Sequence, residues 1–156
     1  MKNFSLCVLF VIVCWLASVM SAQQAAQTTT TPDDISGTYS FLQDGEVLQL
    51  TVEDGKLSGY VSRFGDSDSD RGQFINQFFD KTSLQGDKIT FNTQTVHGVS
   101  YEFTGVVAVD SGKKPGAEGY RVLRGKLIEH SLDANGKEKT RQRQSEFKSF
   151  PAEVNR

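Results

Sequence analysis

Four basic residues near the C-terminus recur at every second position: Lys137, Lys139, Arg141 and Arg143. Side chains two residues apart on a β-strand project from the same face, so these four share a face with Phe147. If Phe147 points into the interior of the fold, Arg141 and Arg143 lie at its opening and could bind an anionic head group through charge-assisted hydrogen bonds. The alternative is a basic stripe that faces water and discourages edge-to-edge pairing by repulsion.

Three aromatic residues and a further arginine complete the candidate ligand-binding set, namely Tyr39, Tyr101, Phe103 and Arg124. The aromatic residues occur in alternating segments, and such side chains line either a packed core or the wall of a ligand pocket. Arg124 follows two apolar residues in a predicted strand. It is therefore either a second interior cation or an exposed side chain on a twisted strand.

An acidic segment carries carboxylates at alternate positions, Asp66, Asp68 and Asp70. This spacing resembles the first half of a calcium loop, in which hard oxygen ligands surround one cation. The sixth position of such a loop requires glycine, and Arg71 stands there. The twelfth requires a bidentate glutamate, and Gln77 stands there. The pattern therefore favours a solvated acidic loop, with calcium binding as the alternative.

The chain has two histidines, His97 and His130, which is fewer ligands than a zinc site normally needs. His130 follows Glu129 directly, so on a strand the two side chains lie on opposite faces and cannot form a simple dyad. The sequence contains no Ser-His-Asp arrangement, phosphate-binding loop or dinucleotide fingerprint. It therefore predicts no catalytic residues, no metal and no cofactor.

Short turns separate the segments that must position these residues. Asp44-Gly45 and Asp54-Gly55 are signals for type I′ turns, and alternating apolar residues flank both. Together they predict three antiparallel strands in sequence order. Further strands are predicted at 78–84, 89–93, 99–109, 120–132 and 139–150, although a short helix around Phe74 is an alternative to the first of these.

The predicted fold is therefore all-β, an antiparallel up-and-down meander of about eight strands. Closing such a sheet into a barrel removes its exposed edges, so we expect a barrel. Glycines inside four predicted strands fit this expectation, because an interior glycine often marks a bulge or a tight bend in a barrel wall. These glycines are Gly37, Gly59, Gly105 and Gly125.

Two short stretches resemble the calycin-type barrels, which include lipocalins, fatty-acid-binding proteins and avidins. They are residues 36–39 (SGTY), which open the first strand, and residues 54–60 (DGKLSGY), which form a hairpin. The resemblance implies a ligand-binding barrel over residues 35–150. Tyr39 stands where these families usually have tryptophan, and Trp15 is the only tryptophan in the chain. By analogy with the tryptophan-walled avidin site, this departure excludes biotin.

The N-terminus indicates export. Lys2 precedes an apolar run of roughly a dozen residues, which is typical of a signal peptide and short for a membrane span. We interpret residues 1–22 as the signal peptide, 23–34 as a disordered polar linker, 35–150 as the barrel domain and 151–156 as a tail. Both cysteines, Cys7 and Cys14, lie within the signal, so the exported domain must be stable without disulfides.

The composition restricts the partners. The net charge of −2 provides no basic excess for nucleic acid, and no stable membrane insertion is expected after cleavage. The predicted function is a secreted or periplasmic, non-enzymatic barrel that binds a small apolar or amphipathic molecule, anionic molecules included. Two alternatives are a barrel enzyme of the isomerase or cyclase type acting on a lipid-like substrate, and an envelope-associated structural domain without a ligand.

The export signal generates a direct prediction. Val19 and Ser21 suit the −3 and −1 positions of a signal peptidase site, and cleavage after Ala22 is the neighbouring alternative. Intact-mass and N-terminal analysis of protein collected outside the cytoplasm should give a chain beginning at Ala22 or Gln23. A chain that keeps Met1 and remains with the membrane fraction would contradict cleavage.

Overall fold

The structure is a computed structural model that describes residues 35–65, 67–133 and 135–152. The predicted signal peptide and linker (1–34) lie outside the described residues. Of the predicted tail, only Pro151 and Ala152 are described.

Eight β-strands follow one another along the described chain, and each pairs antiparallel with the next in a single sheet. This arrangement confirms the predicted all-β, up-and-down meander. The strands are β1 (Gly37–Ser40), β2 (Val47–Glu53), β3 (Lys56–Phe64), β4 (Phe74–Gln85), β5 (Lys88–Thr93), β6 (Val99–Val109), β7 (Arg121–Leu132) and β8 (Glu138–Lys148).

The sheet curls strongly into a half-barrel, an architecture consistent with that of the calycins. Its first and last strands meet over a short seam, where Tyr39 and Ser149 form an antiparallel bridge. The amide of Phe150 donates to the carbonyl of Thr38 at 2.8 Å. Along the rest of β8, from Glu138 to Glu146, the described residues provide backbone pairing with β7 alone. The side of the half-barrel between β8 and the β1–β2 loop is therefore open.

The two Asp-Gly signals produce different turns. Asp54 and Gly55 have φ angles of 51° and 72°, which confirms the type I′ turn between β2 and β3. At Asp44-Gly45 the type I′ prediction is wrong, because only Gly45 has a positive φ, of 88°. The amide of Glu46 donates to the carbonyl of Gln43 at 3.0 Å, so Gly45 is the third residue of a type II-like turn within a wider loop.

The segment of ambiguous pattern, around Phe74 to Leu84, is one long strand. β4 spans Phe74–Gln85, which confirms the predicted strand, extends it toward the N-terminus and excludes the alternative helix. The pairing with β5 shifts register between Phe79 and Lys81. Such an irregularity breaks the period of two, and this is why the alternation of this strand is hard to read from the sequence.

The interior is filled by a continuous series of aromatic rings. Phe91 stacks on Phe79 and on Phe103, with ring centroids 4.4 and 5.3 Å apart. Phe103 in turn lies 5.4 Å from Phe147. Phe41 contacts both Phe147 and Tyr101 at 5.2 Å, so the series crosses from β4 to β8 and the β1–β2 loop. A single sheet thus supplies both sides of its own core.

Two glycines make room for this series. Gly105 and Gly125 are partners across β6 and β7. A Cβ added to Gly105 would lie 2.6 Å from Cζ of Phe103, and one added to Gly125 would lie 2.5 Å from Cα of Gly105. At Gly105 the Phe103 ring occupies the space that a side chain would need, and at Gly125 the backbone of β6 occupies it.

Phe103→Ala tests the role of the ring series in stability. The substitution removes a ring that is 1% exposed and leaves a cavity, so the free energy of unfolding should fall by about 3–5 kcal/mol. Urea denaturation followed by circular dichroism measures this change. Val106→Ala, at a half-exposed position on the outer face of β6, is the matched control and should cost less than about 1 kcal/mol. Equal losses in the two variants would contradict a core held by the rings.

Candidate functional site

The three predicted aromatic site residues belong to the packed core. Tyr39 is fully buried, and its hydroxyl donates to the carbonyl of Ile35 at 2.7 Å. Burial raises the pKa of the Tyr39 phenol far above its ordinary value. Tyr101 is 5% exposed and packs edge-on against Phe41, and Phe103 lies between Phe91 and Phe147. These side chains determine the shape of the interior and do not line an open pocket.

The structure places Arg124 outside the interior, which corrects the proposal that it is an inner cation. Its neighbour Leu123 is fully buried, so the alternation of β7 turns Arg124 to the outer face. There its Nε donates to Glu146 at 2.7 Å, and this hydrogen bond lowers the pKa of the Glu146 carboxyl. We therefore remove Arg124 from the candidate site.

Arg141 and Arg143 lie on the inner face of β8, beside the open side of the half-barrel. Both share their face with Phe147, which is 1% exposed. Arg143 is half-buried, and its Nη2 donates to the carboxylate of Glu129 at 2.6 Å. Arg141 is exposed and is the direct strand partner of Glu129. The predicted basic stripe therefore reaches the interior only at Arg143.

Two buried polar atoms beside this ion pair have no hydrogen-bond partner among the described residues. They are Nε of Arg143 and Oγ of Ser145. Both belong to the inner face of β8, because the two residues alternate with the outward-facing Gln144. A buried donor without a partner is costly, since it loses its hydrogen bonds to water and gains none in return. The pair offers two donors to one acceptor group.

An acidic and a phenolic side chain share this region of the inner face. Tyr101 is the strand partner of Glu129, and Leu127 is the strand partner of both Phe103 and Arg143. The register therefore gathers Tyr101, Glu129 and Arg143 on three adjacent strands. We call Tyr101, Glu129, Arg143 and Ser145 the inner polar cluster. Sequence reasoning identified two of its four members and missed Glu129 and Ser145.

Sequence reasoning also missed Arg63, a buried cation. Arg63 is 3% exposed, and its Nε donates to Oε1 of Gln77 at 2.8 Å. Gln77 is fully buried and donates to the carbonyl of Val99 at 2.7 Å. These bonds tie β3 and β4 to the start of β6. The alternation of residues along β3 could have indicated that Arg63 is buried, because Arg63 shares its face with the buried Val61.

Glu46 is also a buried charged residue, at 3% exposure. Its carboxylate accepts hydrogen bonds from the amides of Gln43 and Phe64, both at 3.1 Å. The side chain thus joins the β1–β2 loop to the end of β3. This contact is the physical reason why the chain forms a wider loop at Asp44-Gly45 in place of a two-residue hairpin.

The acidic loop is held by its own side chains. Asp70 is buried and accepts hydrogen bonds from the hydroxyl of Ser67 and from Nδ1 of His97, both at 2.5 Å. Both bonds lower the pKa of the Asp70 carboxyl, and the bond from the Ser67 hydroxyl has the larger effect. Asp68 instead pairs with Arg71 at 2.7 Å on the exposed surface. Asp66, the first carboxylate of the proposed calcium pattern, lies outside the described residues.

The other histidine lies on the outer face. Nδ1 of His130 is 3.2 Å from Glu138, and its Nε2 is 3.4 Å from Glu102. The two ring nitrogens therefore face different carboxylates, and a groove of about 390 Å³ adjoins them. In the described part of the chain, no group of three or more His, Cys, Asp or Glu side chains could hold a metal ion.

The larger surface groove lies elsewhere, where β1 meets the residues after β8. It has a volume of about 460 Å³, and its lining includes Gly37, Tyr120, Arg121 and Phe150. Arg121 lies 5.8 Å from the ring of Tyr120, and burial lowers the pKa of its guanidinium. No member of the inner polar cluster lines this groove. The candidate site is the inner polar cluster, because its donors Arg143 Nε and Ser145 Oγ have no partner among the described residues.

Comparison with known protein families, with curated protein sequences and with solved structures gave no match. No helix in the described ranges is both long and apolar enough to cross a membrane.

The Asp70 network predicts a specific pH dependence. Because the folded state lowers the pKa of Asp70, its contribution to stability is complete above the unfolded pKa, about 4, and is lost as pH falls through the lower folded pKa. Asp70→Asn should therefore reduce the melting temperature at pH 7, and the difference from the unmodified protein should shrink as pH falls below about 4.

Thermal denaturation between pH 7 and about 2.5 measures this effect. Asp68→Asn is the matched control, because the Asp68 side chain is 98% exposed. A difference between Asp70→Asn and the unmodified protein that stays constant over the whole range would show that the charge of Asp70 is not what stabilises the loop.

Proposed function

We propose that this chain is an exported, non-enzymatic half-barrel protein that binds a small amphipathic carboxylate at the open side of its sheet. The observation that carries the proposal is the pair of buried, unpartnered atoms Arg143 Nε and Ser145 Oγ on the inner face of β8. One carboxylate can accept a hydrogen bond from each, and a hydrogen bond to a charged group is stronger than one between neutral groups.

The surroundings of Arg143 favour an anion. Glu129 accepts from Nη2 and so fixes the plane of the guanidinium, while the buried Nε has no partner among the described residues. Glu129 offsets one positive charge, but the inner face of β8 carries three in succession, at Lys139, Arg141 and Arg143. The balance is positive, and an arginine stays charged at any physiological pH.

The packed interior limits the size of the ligand. Phe91, Phe103 and Phe147 are at most 1% exposed, so a long apolar chain cannot enter without displacing rings. Leu127, the strand partner of Arg143, and Phe147, two residues beyond Ser145, are also buried, so the proposed site offers little apolar surface. We therefore propose a carboxylate with a short apolar group, and not the long lipid that carriers of calycin type accommodate.

Export and architecture support the same function. The N-terminal sequence is typical of a signal peptide, and a secreted or periplasmic domain meets small organic acids in its surroundings. The eight-strand meander is the architecture of the calycin carriers, although membership of any one of those families remains part of the proposal.

A barrel enzyme is the second candidate, and one specific observation favours it. Tyr101, Glu129 and Arg143 lie on adjacent strands, and together they could supply a proton donor, a base and an anion-binding group. Incubation distinguishes the two functions. A binder returns the carboxylate unchanged, while an isomerase or cyclase returns an altered molecule that chromatography and NMR detect.

Isothermal titration calorimetry with hexanoate tests the binding function. The unmodified protein should bind hexanoate, and hexanol should bind at least about tenfold more weakly, because it lacks the charge that Arg143 recognises. Arg143→Gln should weaken hexanoate binding at least about tenfold, since a charge-assisted hydrogen bond contributes about 1.5–3 kcal/mol. Ser145→Ala should give a smaller loss, because it removes one neutral donor.

Arg124→Gln is the matched control, since Arg124 lies on the outer face of the neighbouring strand and pairs with Glu146. It should bind hexanoate as the unmodified protein does. An equal loss of hexanoate affinity in Arg124→Gln and Arg143→Gln would show that the net charge of the protein, and not a specific site, determines binding. If the unmodified protein does not bind hexanoate, the proposed binding function is wrong and the alternative of a structural domain without a ligand is favoured.

A further inference from the structure

The outer face of the half-barrel carries two exposed pairs of aromatic rings. Tyr60 of β3 is the direct strand partner of Phe78 of β4, and their ring centroids are 5.6 Å apart. Phe64 and Phe74 are partners in the same way, at 4.5 Å. Phe74 is 59% exposed and Phe78 is 53% exposed. Large apolar side chains grouped in this way mark an interaction surface more often than isolated ones do.

The surface between the two ring pairs carries no charged side chain. The row that separates the two ring pairs consists of Ser62 and its partner Asn76. Across β2 the surface continues with Val47, the partner of Ser62, and Gln49, the partner of Tyr60. We call this surface the aromatic face. Its members are Val47, Gln49, Tyr60, Ser62, Phe64, Phe74, Asn76 and Phe78.

The outer surface of β6 to β8 is different, because it is rich in charge of both signs. Its exposed and half-exposed side chains include Glu102, Arg124, Glu138 and Glu146. Charged residues also bound the aromatic face, with Arg71 before β4 and with Asp80 and Lys81 beyond Phe78. An aromatic centre without charge inside a charged rim is the usual composition of a protein–protein interface.

The relief of the aromatic face is suited to self-association. The two ring pairs form ridges four residues apart along the strands, about 13 Å, and the small side chains of Ser62 and Asn76 form the groove between them. A two-fold axis across the strands, between the groove and one ridge, places the ridge of each copy over the groove of the other. Such a contact is isologous, because both copies use the same surface.

We propose that the aromatic face is a dimer interface that binds a second copy of this chain. Charge complementarity favours this occupant. Two identical surfaces with net charge repel each other, whereas two uncharged aromatic faces meet without like charges in opposition. The rings within each pair are tilted by 56° and 31°, so they do not form the flat platform on which a sugar ring stacks. The face also lacks the lysines and arginines that recognise anionic lipid head groups.

The dimer leaves the inner polar cluster accessible. The aromatic face belongs to the outer side of β2 to β4, while Arg143 and Ser145 belong to the inner side of β8. The proposal is therefore independent of the proposed carboxylate binding, and either can fail without the other.

Sedimentation velocity of the exported chain from about 1 to 100 µM tests the proposal. The unmodified protein should sediment as a dimer at the upper end of this range. The double variant Phe74→Ser/Phe78→Ser should raise the dimer dissociation constant at least about a hundredfold and sediment as a monomer, because it removes the exposed ring of each ridge. Asn76→Arg should have the same effect by bringing like charges together in the groove.

Leu132→Ser is the matched control, because Leu132 is 57% exposed on β7, away from the aromatic face. It should remain dimeric, and circular dichroism should show that every variant keeps its β-sheet. Three results would overturn the proposal: a monomeric unmodified protein at 100 µM, equal dissociation of Leu132→Ser, or a dimer that survives both sets of changes on the aromatic face. Retention of a monomer on insoluble polysaccharide or on phosphatidylcholine vesicles would assign the face to those partners instead.

Discussion

Aromatic packing inside a single curled sheet is the constraint on which the rest of this structure depends. A two-layer fold buries each apolar face against another element, but here the strands must meet their own sheet across the interior. The ring series follows the inner wall from Phe79 through Phe91 and Phe103 to Phe147, and Phe41 packs onto it from the β1–β2 loop. Because residues 35–152 contain no cysteine and so no disulfide, this packing and the strand ladder must hold them together.

The filled interior determines where chemistry can occur. Residues that would line a pocket in an open barrel, such as Tyr39 and Phe103, are buried in packing contacts. Among the polar groups on the inner surface, Arg63 and Gln77 are bonded to each other on β3 and β4, whereas Arg143 and Ser145 lie beside the open edge of β8. A short β1 is the cause of this opening, because it covers β8 near Ser149 and no farther toward Glu138 among the described residues.

The outer surface of β6 to β8 and the outer surface of β2 to β4 differ in charge. The surface of β6 to β8 carries ion pairs such as Arg124–Glu146, which keep an edge region hydrated and unsuited to pairing with another strand. The surface of β2 to β4 carries rings and amides without charge. The two proposed sites therefore lie apart. The proposed ligand site lies at the open inner edge, and the proposed partner surface lies on the outer face of the opposite strands.

The sequence by itself determined the strands and the direction of most side chains. A period of two is a local property, so alternation predicted the eight-strand meander, the common face of Arg143 and Phe147, and the turn at Asp54-Gly55. The register shift after Phe79 breaks the period, so the strand predicted there is correct but too short at its N-terminus. The prediction failed at Asp44-Gly45, where the burial of Glu46 replaces a hairpin turn by a wider loop.

Tertiary structure decided which of the correctly placed side chains could act. Arg141 and Arg143 are equivalent in the sequence, but Arg141, the direct strand partner of Glu129, is exposed. Arg143 lies opposite the fully buried Leu127, is itself partly buried, and reaches Glu129 diagonally across the ladder. Register across strands also paired Tyr60 with Phe78 and Phe64 with Phe74 on one surface. These contacts join residues that are 10 to 18 positions apart in the chain, and no local pattern specifies which residues will face each other across a ladder.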